Sequence, residues 1–301
     1  MQNGKEIILV TGATGFIGKR LTKSLLAEGR SVRCMVRKPS AETPVGAEKV
    51  CGDLLEPGTL APVFDGVDTV YYLVHSMAGG RAGFERRDRE AADNFVHAAE
   101  TAGVRRVIYL GGLGETGDKL SEHLKSRLEV AGILRSGRFA TTFLRAAVIV
   151  GAGGASFELV RGLVKRLPVM ITPLWVSTKC QPIAVDDVIS YLTGCLTDER
   201  TAGRTFDIGG PEILTYRDMM ERFARLEGKS LLIIPVPVLT PKLSSYWVAL
   251  FSPVPPSVSM PLIEGLGNEV ICRDNSIRDL IPLRLTNYDE AVRQALLEEL
   301  Q

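Results

Sequence analysis

The 301-residue chain predicts an α/β fold: a doubly wound parallel sheet of the Rossmann type with a smaller, mainly helical C-terminal lobe. Three observations carry this. Six short β-prone runs alternate with helix-forming segments up to about residue 150. The first run breaks into three glycines spaced three apart (Gly12, Gly15, Gly18) and then into a helical pattern. After about residue 151 the alternation stops, and seven of the sixteen prolines fall between Pro235 and Pro261, where long helices cannot run. Parallel strands need crossovers, and right-handed crossovers place helices on both faces of a sheet. The predicted division is a nucleotide-binding core over 1–150 and a substrate lobe over 151–301, interleaved with the core in one compact unit.

The elements follow in order. Ile7, Ile8, Leu9 and Val10 form a short apolar run typical of a buried parallel strand. Strand, glycine turn and helix in this order are the context a dinucleotide site requires. Gly12 permits the tight turn, Gly15 lets the backbone approach a pyrophosphate, and Gly18 lets the helix pack against the strand. The candidate cradle is Gly12, Ala13, Thr14, Gly15, Phe16 and Ile17, where free N–H groups and the helix dipole favour an anion. Phe16, Ile17, Leu21, Leu25 and Leu26 recur at helical spacing, and Gly29 ends that helix. Further strands are read over 31–37, 49–54, 69–74, 106–110 and 141–150. Helices are read over 57–64, 81–102 and 121–135. The charges of the 81–102 helix alternate in sign, which reads as a solvated, paired face. In the second half, 155–167, 185–196 and 216–226 read as helices, 205–208 as a short strand, and 288 onward as a final amphipathic helix.

Composition narrows the partners. A net charge of +1 gives no reason to expect nucleic acid. Five scattered cysteines, without a Cys-x-x-Cys pair, argue against a disulfide framework or zinc site and fit a reducing, cytoplasmic setting. The first strand begins so early that no signal peptide is expected, and no apolar run approaches the ~20 residues that span a bilayer. Three separated histidines without clustered carboxylates give no metal-ligand spacing.

The end of the second strand selects the nicotinamide cofactor: an acid there binds the ribose hydroxyls of NAD, whereas arginine accommodates the 2′-phosphate of NADP. Arg37 and Lys38 stand there, with no acid until Glu42. NADP(H) is therefore expected, with NAD as the alternative, and with solvated surface cations as the plain reading of the same pair. Val74 ends the fourth strand and His75-Ser76 follows it, at the carboxyl end of the sheet, where ligands of open α/β sheets sit. They are expected to border the nicotinamide. His97, between apolar residues in mid-helix, reads as structural.

With these residues on the page, the chain resembles the extended short-chain dehydrogenase/reductases, in the atypical NAD(P)H-binding branch. The residues Thr11-Gly12-Ala13-Thr14-Gly15-Phe16-Ile17-Gly18 carry the resemblance, together with Gly52-Asp53-Leu54. It implies that Asp53 and Leu54 meet the adenine. Active members use a Tyr-x-x-x-Lys pair after the fifth strand, with a Ser or Thr as third partner. Here His123-Leu124-Lys125-Ser126-Arg127 keeps the spacing but replaces Tyr by His and Lys by Arg. Leu110-Gly111-Gly112-Leu113 lacks the hydroxyl, and Thr116 is the nearest one. Arg127 can still hydrogen-bond ribose hydroxyls; its alternative is an exposed or ion-paired side chain. His123 is a chemically reasonable acid or base, against the plain reading of a surface or packed histidine.

Two further segments read both ways. Gly151-Ala152-Gly153-Gly154 is either a hinge beside the cofactor or a tight connection. The charge-poor stretch 231–262, with Tyr246, Trp247 and Phe251, is either a pocket for an apolar, quinone-like small molecule or the core of the small lobe. Two functions follow: an NADP(H)-preferring oxidoreductase on an apolar substrate, or a non-catalytic nucleotide-binding sensor or assembly factor.

Overall fold

The computed structural model describes residues 6–74, 84–113, 122–236, 255 and 266–299. The first half runs β1 (Ile7–Val10), α1 (Phe16–Ala27), β2 (Ser31–Val36), β3 (Glu48–Cys51), α2 (Ala61–Phe64), β4 (Val67–Tyr72), α3 (Phe84–Thr101), β5 (Arg106–Gly112), α4 (Glu122–Ser136) and β6 (Ala140–Ala146). The second half begins with β7 (Ile149–Val150), α5 (Ala155–Arg166), β8 (Val169–Pro173), β9 (Lys179–Cys180), β10 (Ile183–Ala184) and α6 (Val185–Thr197). It continues with β11 (Thr205–Ile208), β12 (Leu214–Thr215), α7 (Tyr216–Leu226), β13 (Leu232–Val236), α8 (Ile277–Leu280) and α9 (Tyr288–Glu298).

Seven strands form one parallel sheet in the order β11-β6-β5-β4-β1-β2-β3. The strand order reverses between β1 and β4, which makes the carboxyl ends of those strands the switch point where such sheets bind ligands. One face buries Ile8, Val10, Tyr71 and Ile108 against Leu21 and Leu25 of α1 and Val188 and Leu192 of α6. The Tyr71 hydroxyl donates to the carbonyl of Leu192 at 2.9 Å, so even its polar end is satisfied. The other face buries Leu9, Val70, Tyr72 and Val107 against Phe95 of α3 and Leu134 of α4. Tyr72 meets Phe95 edge-on at 4.8 Å, a geometry the ring quadrupoles favour.

Two features depart from the expected organisation. The sixth strand is not continuous: β6 ends at Ala146, and β7 leaves the main sheet to pair with β10. The short strand of the second half, β11, joins the main sheet beside β6. A buried charge pair explains its place. Asp207 lies opposite Arg145 across the two strands, with Nη2 and Oδ1 2.6 Å apart and Asp207 2% exposed. The second carboxylate oxygen accepts from the backbone N–H of Arg273 at 2.9 Å. A register slip would leave this charge buried and unpaired, so the pair specifies one alignment.

Helices α5, α7 and α9 share a third core around Phe157, Leu163, Phe223 and Val292. A reciprocal cap starts α7: the Thr215 hydroxyl accepts from Asp218 N–H at 3.1 Å, while the Asp218 carboxylate accepts from Thr215 N–H at 2.8 Å. This fixes where the helix begins and directs its first residue, Tyr216, towards the sheet's carboxyl edge.

Candidate functional site

At the end of β1 the backbone turns sharply, with Gly12 at φ +67°. A Cβ on Gly12 would stand 2.7 Å from the Leu73 carbonyl oxygen, so only glycine fits. The Thr11 hydroxyl ties the turn to the neighbouring strand, donating to the Tyr71 carbonyl at 3.0 Å and accepting from Leu73 N–H at 3.1 Å. Gly18 sits on the turn itself: a Cβ there would lie 2.2 Å from the Gly12 carbonyl oxygen and 2.8 Å from Ala13 Cα. The start of α1 has no side-chain cap and no acid in its first turn, so its free N–H groups stay available to an anion. Ala13 is fully buried under the turn, and Thr14 is exposed at its tip.

Above this turn lies a cavity of about 560 Å³, within the range of small-molecule sites. Gly12, Gly15, Phe16, Ile17, Val74 and Arg127 line it. Arg127 is half-buried and makes no ion pair or side-chain hydrogen bond with the described residues. Gly111, Gly112 and Leu113, at the end of β5, supply wall without a side-chain hydroxyl. Asp88 reverses the expectation for its helix: it is 6% exposed, lines the cavity, and accepts from the Ser126 hydroxyl at 3.3 Å. Tyr72 and Tyr109 lie beside it in the wall. Burial, then Tyr109 and Asp88, push the Tyr72 phenol far above its ordinary range, so it is neutral. Position could have revealed Asp88, because it lies one turn before Ala91 and Ala92 and two before Phe95, all on the buried face. Tyr109, in the middle of β5, gave no such signal.

The other candidates separate from this cavity. Arg37 and Lys38 follow β2, exposed and without side-chain partners among the described residues. Asp53 is half-buried in a turn in which its carboxylate accepts from Leu55 N–H at 3.0 Å. Leu54 is buried, and its carbonyl accepts from the Asn94 amide at 2.7 Å, which anchors this loop to α3. These four are not part of the cavity wall. His75 and Thr116 lie outside the described residues, as do Tyr246, Trp247 and Phe251. His123 falls in the first turn of α4, with its side chain outside the described residues. His97 is exposed on α3 instead of packed among its apolar neighbours.

The glycine loop after β7 is a tight connection. A Cβ on Gly154 would come 2.9 Å from the Phe16 ring, and one on Gly151 2.6 Å from Val185. Arg20 locks the same corner: it stacks on Phe16 at 4.7 Å and donates to the Ala152 carbonyl at 3.0 Å. Among the described residues, no group of three His, Cys, Asp or Glu side chains could hold a metal ion, and no helix is long and apolar enough to cross a membrane.

Residues 12–151 match the model of a family described as NAD(P)H-binding. This segment, just under half of the chain, is similar to NAD(P)H-binding domains. The relatives extend beyond that domain. The photosystem II assembly factor of Cyanophora paradoxa is 26% identical over 243 residues, covering 77% of this chain and 72% of the relative. The mitochondrial NADH dehydrogenase (ubiquinone) 1 alpha subcomplex subunit 9 of Arabidopsis thaliana is 23% identical over 309 residues, covering 94% and 76%. Among solved structures, the Citrobacter triphenylmethane reductase complexed with NADP(H) matches with a TM-score of 0.78 at 20% identity, over 96% of this chain and 99% of that one. A nucleoside-diphosphate-sugar epimerase from Staphylococcus aureus matches at 0.77 and 16%, over 95% and 99%. The expected likeness to extended short-chain dehydrogenase/reductases therefore holds at the level of the fold. The glycine turn fits an NAD(P)H ligand: Gly12 and Gly18 let the backbone of the turn and α1 pack too closely for any side chain, and the uncapped start of α1 carries no acid to repel an anion.

Proposed function

We propose that the protein is an NADP(H)-preferring oxidoreductase acting on an apolar small molecule. The observation that carries this reading is the continuity of one cavity from the glycine turn at Gly12 and Gly15 to an apolar chamber walled by Leu163, Trp175 and Met220. A nucleotide and a second ligand then share one space. In this reading residues 1–150 hold the nucleotide and 151–301 supply the substrate lobe. Gly12 through Ile17 cradle the pyrophosphate on the start of α1. Arg37 and Lys38 meet the 2′-phosphate, Asp53 and Leu54 the adenine, and Val74, His75 and Arg127 the nicotinamide ribose end. The nicotinamide supplies hydride when bound. His123 is the acid–base candidate, one helical turn from Arg127, whose positive charge favours the neutral imidazole as base or hydrogen-bond donor.

One observation favours a second reading, a nucleotide-binding sensor or assembly factor without turnover. The wall formed by Gly111, Gly112 and Leu113 carries no hydroxyl where active short-chain dehydrogenases place one. The names of the assembly-factor and respiratory-subunit relatives are in keeping with it.

Steady-state oxidation of NADPH with a panel of quinones and aromatic carbonyls separates the two. The oxidoreductase reading expects turnover, slowed at least tenfold by His123→Ala with cofactor affinity retained. Tight, slowly exchanging cofactor without turnover on any compound would leave the sensor reading standing alone.

A further inference from the structure

Deep in the second half of the cavity, a tyrosine hydroxyl stands in a mostly apolar wall that also includes Ser156 and Asn268. Tyr216, the first residue of α7, is 7% exposed and lines the cavity. Its hydroxyl has no hydrogen-bond partner among the described residues. Two other buried tyrosines set the contrast: Tyr288, in the same core, donates to the Met219 carbonyl at 3.0 Å, and Tyr71 to Leu192 at 2.9 Å. A buried phenol ordinarily finds an acceptor. Nor is this oxygen sealed in, as the partnerless Thr172 Oγ1 and Trp175 Nε1 are. It keeps access to open space.

The surroundings define what could satisfy it. Trp175 meets the Tyr216 ring edge-on, with centroids 6.0 Å apart and planes at 81°. Met219 and Met220, three and four residues on, present flexible thioethers from the same face of α7. Two aromatics and two methionines make a wall that accommodates a flat ring by dispersion and sulfur–aromatic contact. Burial holds the phenol well above its ordinary pKa, so it donates a proton in a hydrogen bond without ionising.

We infer that Tyr216 is a ligand-contacting residue that selects, by donating a hydrogen bond, a flat apolar ring compound bearing a carbonyl oxygen. The inference rests on the second-ligand chamber of the proposed function and names the chemistry that chamber accepts.

The test compares the full chain with Tyr216→Phe, each saturated with NADP+ so that no turnover intervenes. Binding of 2,3-dimethyl-1,4-naphthoquinone and of 2,3-dimethylnaphthalene is measured by calorimetry. The ring positions of this quinone are blocked against thiol addition. Tyr216→Phe is expected to weaken the quinone about three- to tenfold, the worth of one neutral hydrogen bond, and to leave the hydrocarbon and NADP+ unchanged. Thermal melting of the variant should match the parent, since the lost hydroxyl has no partner in the fold. Equal weakening of both ring compounds would reduce Tyr216 to packing and overturn the inference, as would no weakening of either. If neither compound binds the parent while NADP+ still does, the ligand class is refuted and the nucleotide reading survives. NADPH turnover unaffected by Tyr216→Phe in KM would likewise refute the residue's role and leave the oxidoreductase reading intact.

Discussion

Two glycines inside helices give opposite predictions for one substitution. Gly18 in α1 and Gly132 in α4 both have ordinary helical backbones, since neither is among the positive-φ glycines. Alanine in place of glycine gains about 0.8–1.0 kcal/mol of helix propensity at an interior position. At Gly132 nothing lies within 4 Å of the new Cβ, so Gly132→Ala should stabilise the chain by about 0.5–1 kcal/mol. At Gly18 the new Cβ would lie 2.2 Å from the Gly12 carbonyl oxygen, 2.8 Å from Ala13 Cα and 2.9 Å from Gly12 carbon. All three are backbone atoms of the turn, so relief requires moving the turn by about 1 Å. Overpacking of that kind costs about 1–3 kcal/mol or more. Net of propensity, Gly18→Ala should destabilise by up to about 2 kcal/mol. It should also weaken NADPH by tenfold or more, because the displaced turn is the proposed pyrophosphate cradle. Urea unfolding with and without NADPH, beside fluorescence titration of NADPH, gives both quantities. If Gly18→Ala stabilised the chain as Gly132→Ala does, or left NADPH affinity unchanged, the close-packed turn would not be the cofactor's seat.

Cofactor preference and thiol accessibility supply the other checks. Arg37→Glu should weaken NADPH at least tenfold more than NADH in parallel titrations, because it exchanges the proposed phosphate partner for a like charge; equal effects on both would remove the 2′-phosphate assignment. Cys51 is exposed, whereas burial lifts the thiols of Cys180, Cys195 and Cys272 to about 12 and raises that of Cys34. At pH 8 a thiol reagent should therefore modify one cysteine rapidly in the native chain, with Cys51→Ser abolishing the fast phase; a fast phase of two or more thiols would contradict the packing around β2, β9 and α6.

How much of this could be read from the amino-acid order depends on the range of the interaction that decides each feature. The glycine turn was legible because its geometry is local: Gly12, Gly15 and Gly18 meet within a single strand–turn–helix unit. Helix α7 was legible to the residue, since Thr215 and Asp218 cap it within three positions. The place of β11 was not. Its partner is β6, about sixty residues earlier, and the deciding contact is the Arg145–Asp207 pair, which no periodicity encodes. Asp88 misled for a related reason. Its charged neighbours belong to an exposed helix face, but α4 packs over the turn that carries Asp88 and draws it inward. Tyr216 and Trp175 come together from segments some forty residues apart, so their shared wall existed in the sequence only as two unrelated aromatics.

The division between backbone and side chain suggests how such a site can change its use. The nucleotide's proposed seat is made by backbone: a positive φ at Gly12, a Cβ-free approach at Gly18, and uncapped N–H groups at the start of α1. The proposed chemistry rests instead on side chains, those of His123, Arg127 and Tyr216. Replacing a side chain on α4 or α7 leaves the turn's hydrogen bonds to Tyr71 and Leu73 untouched. Loss of turnover therefore need not bring loss of nucleotide, whereas a change at Gly18 should remove both. The order of failures can be measured: His123→Ala should affect turnover, Tyr216→Phe the affinity for a carbonyl-bearing ring, and Gly18→Ala every function that depends on the nucleotide. A His123 variant that lost NADPH as completely as the Gly18 variant would show that the two layers are one, and that catalytic side chains hold the cofactor as firmly as the turn does.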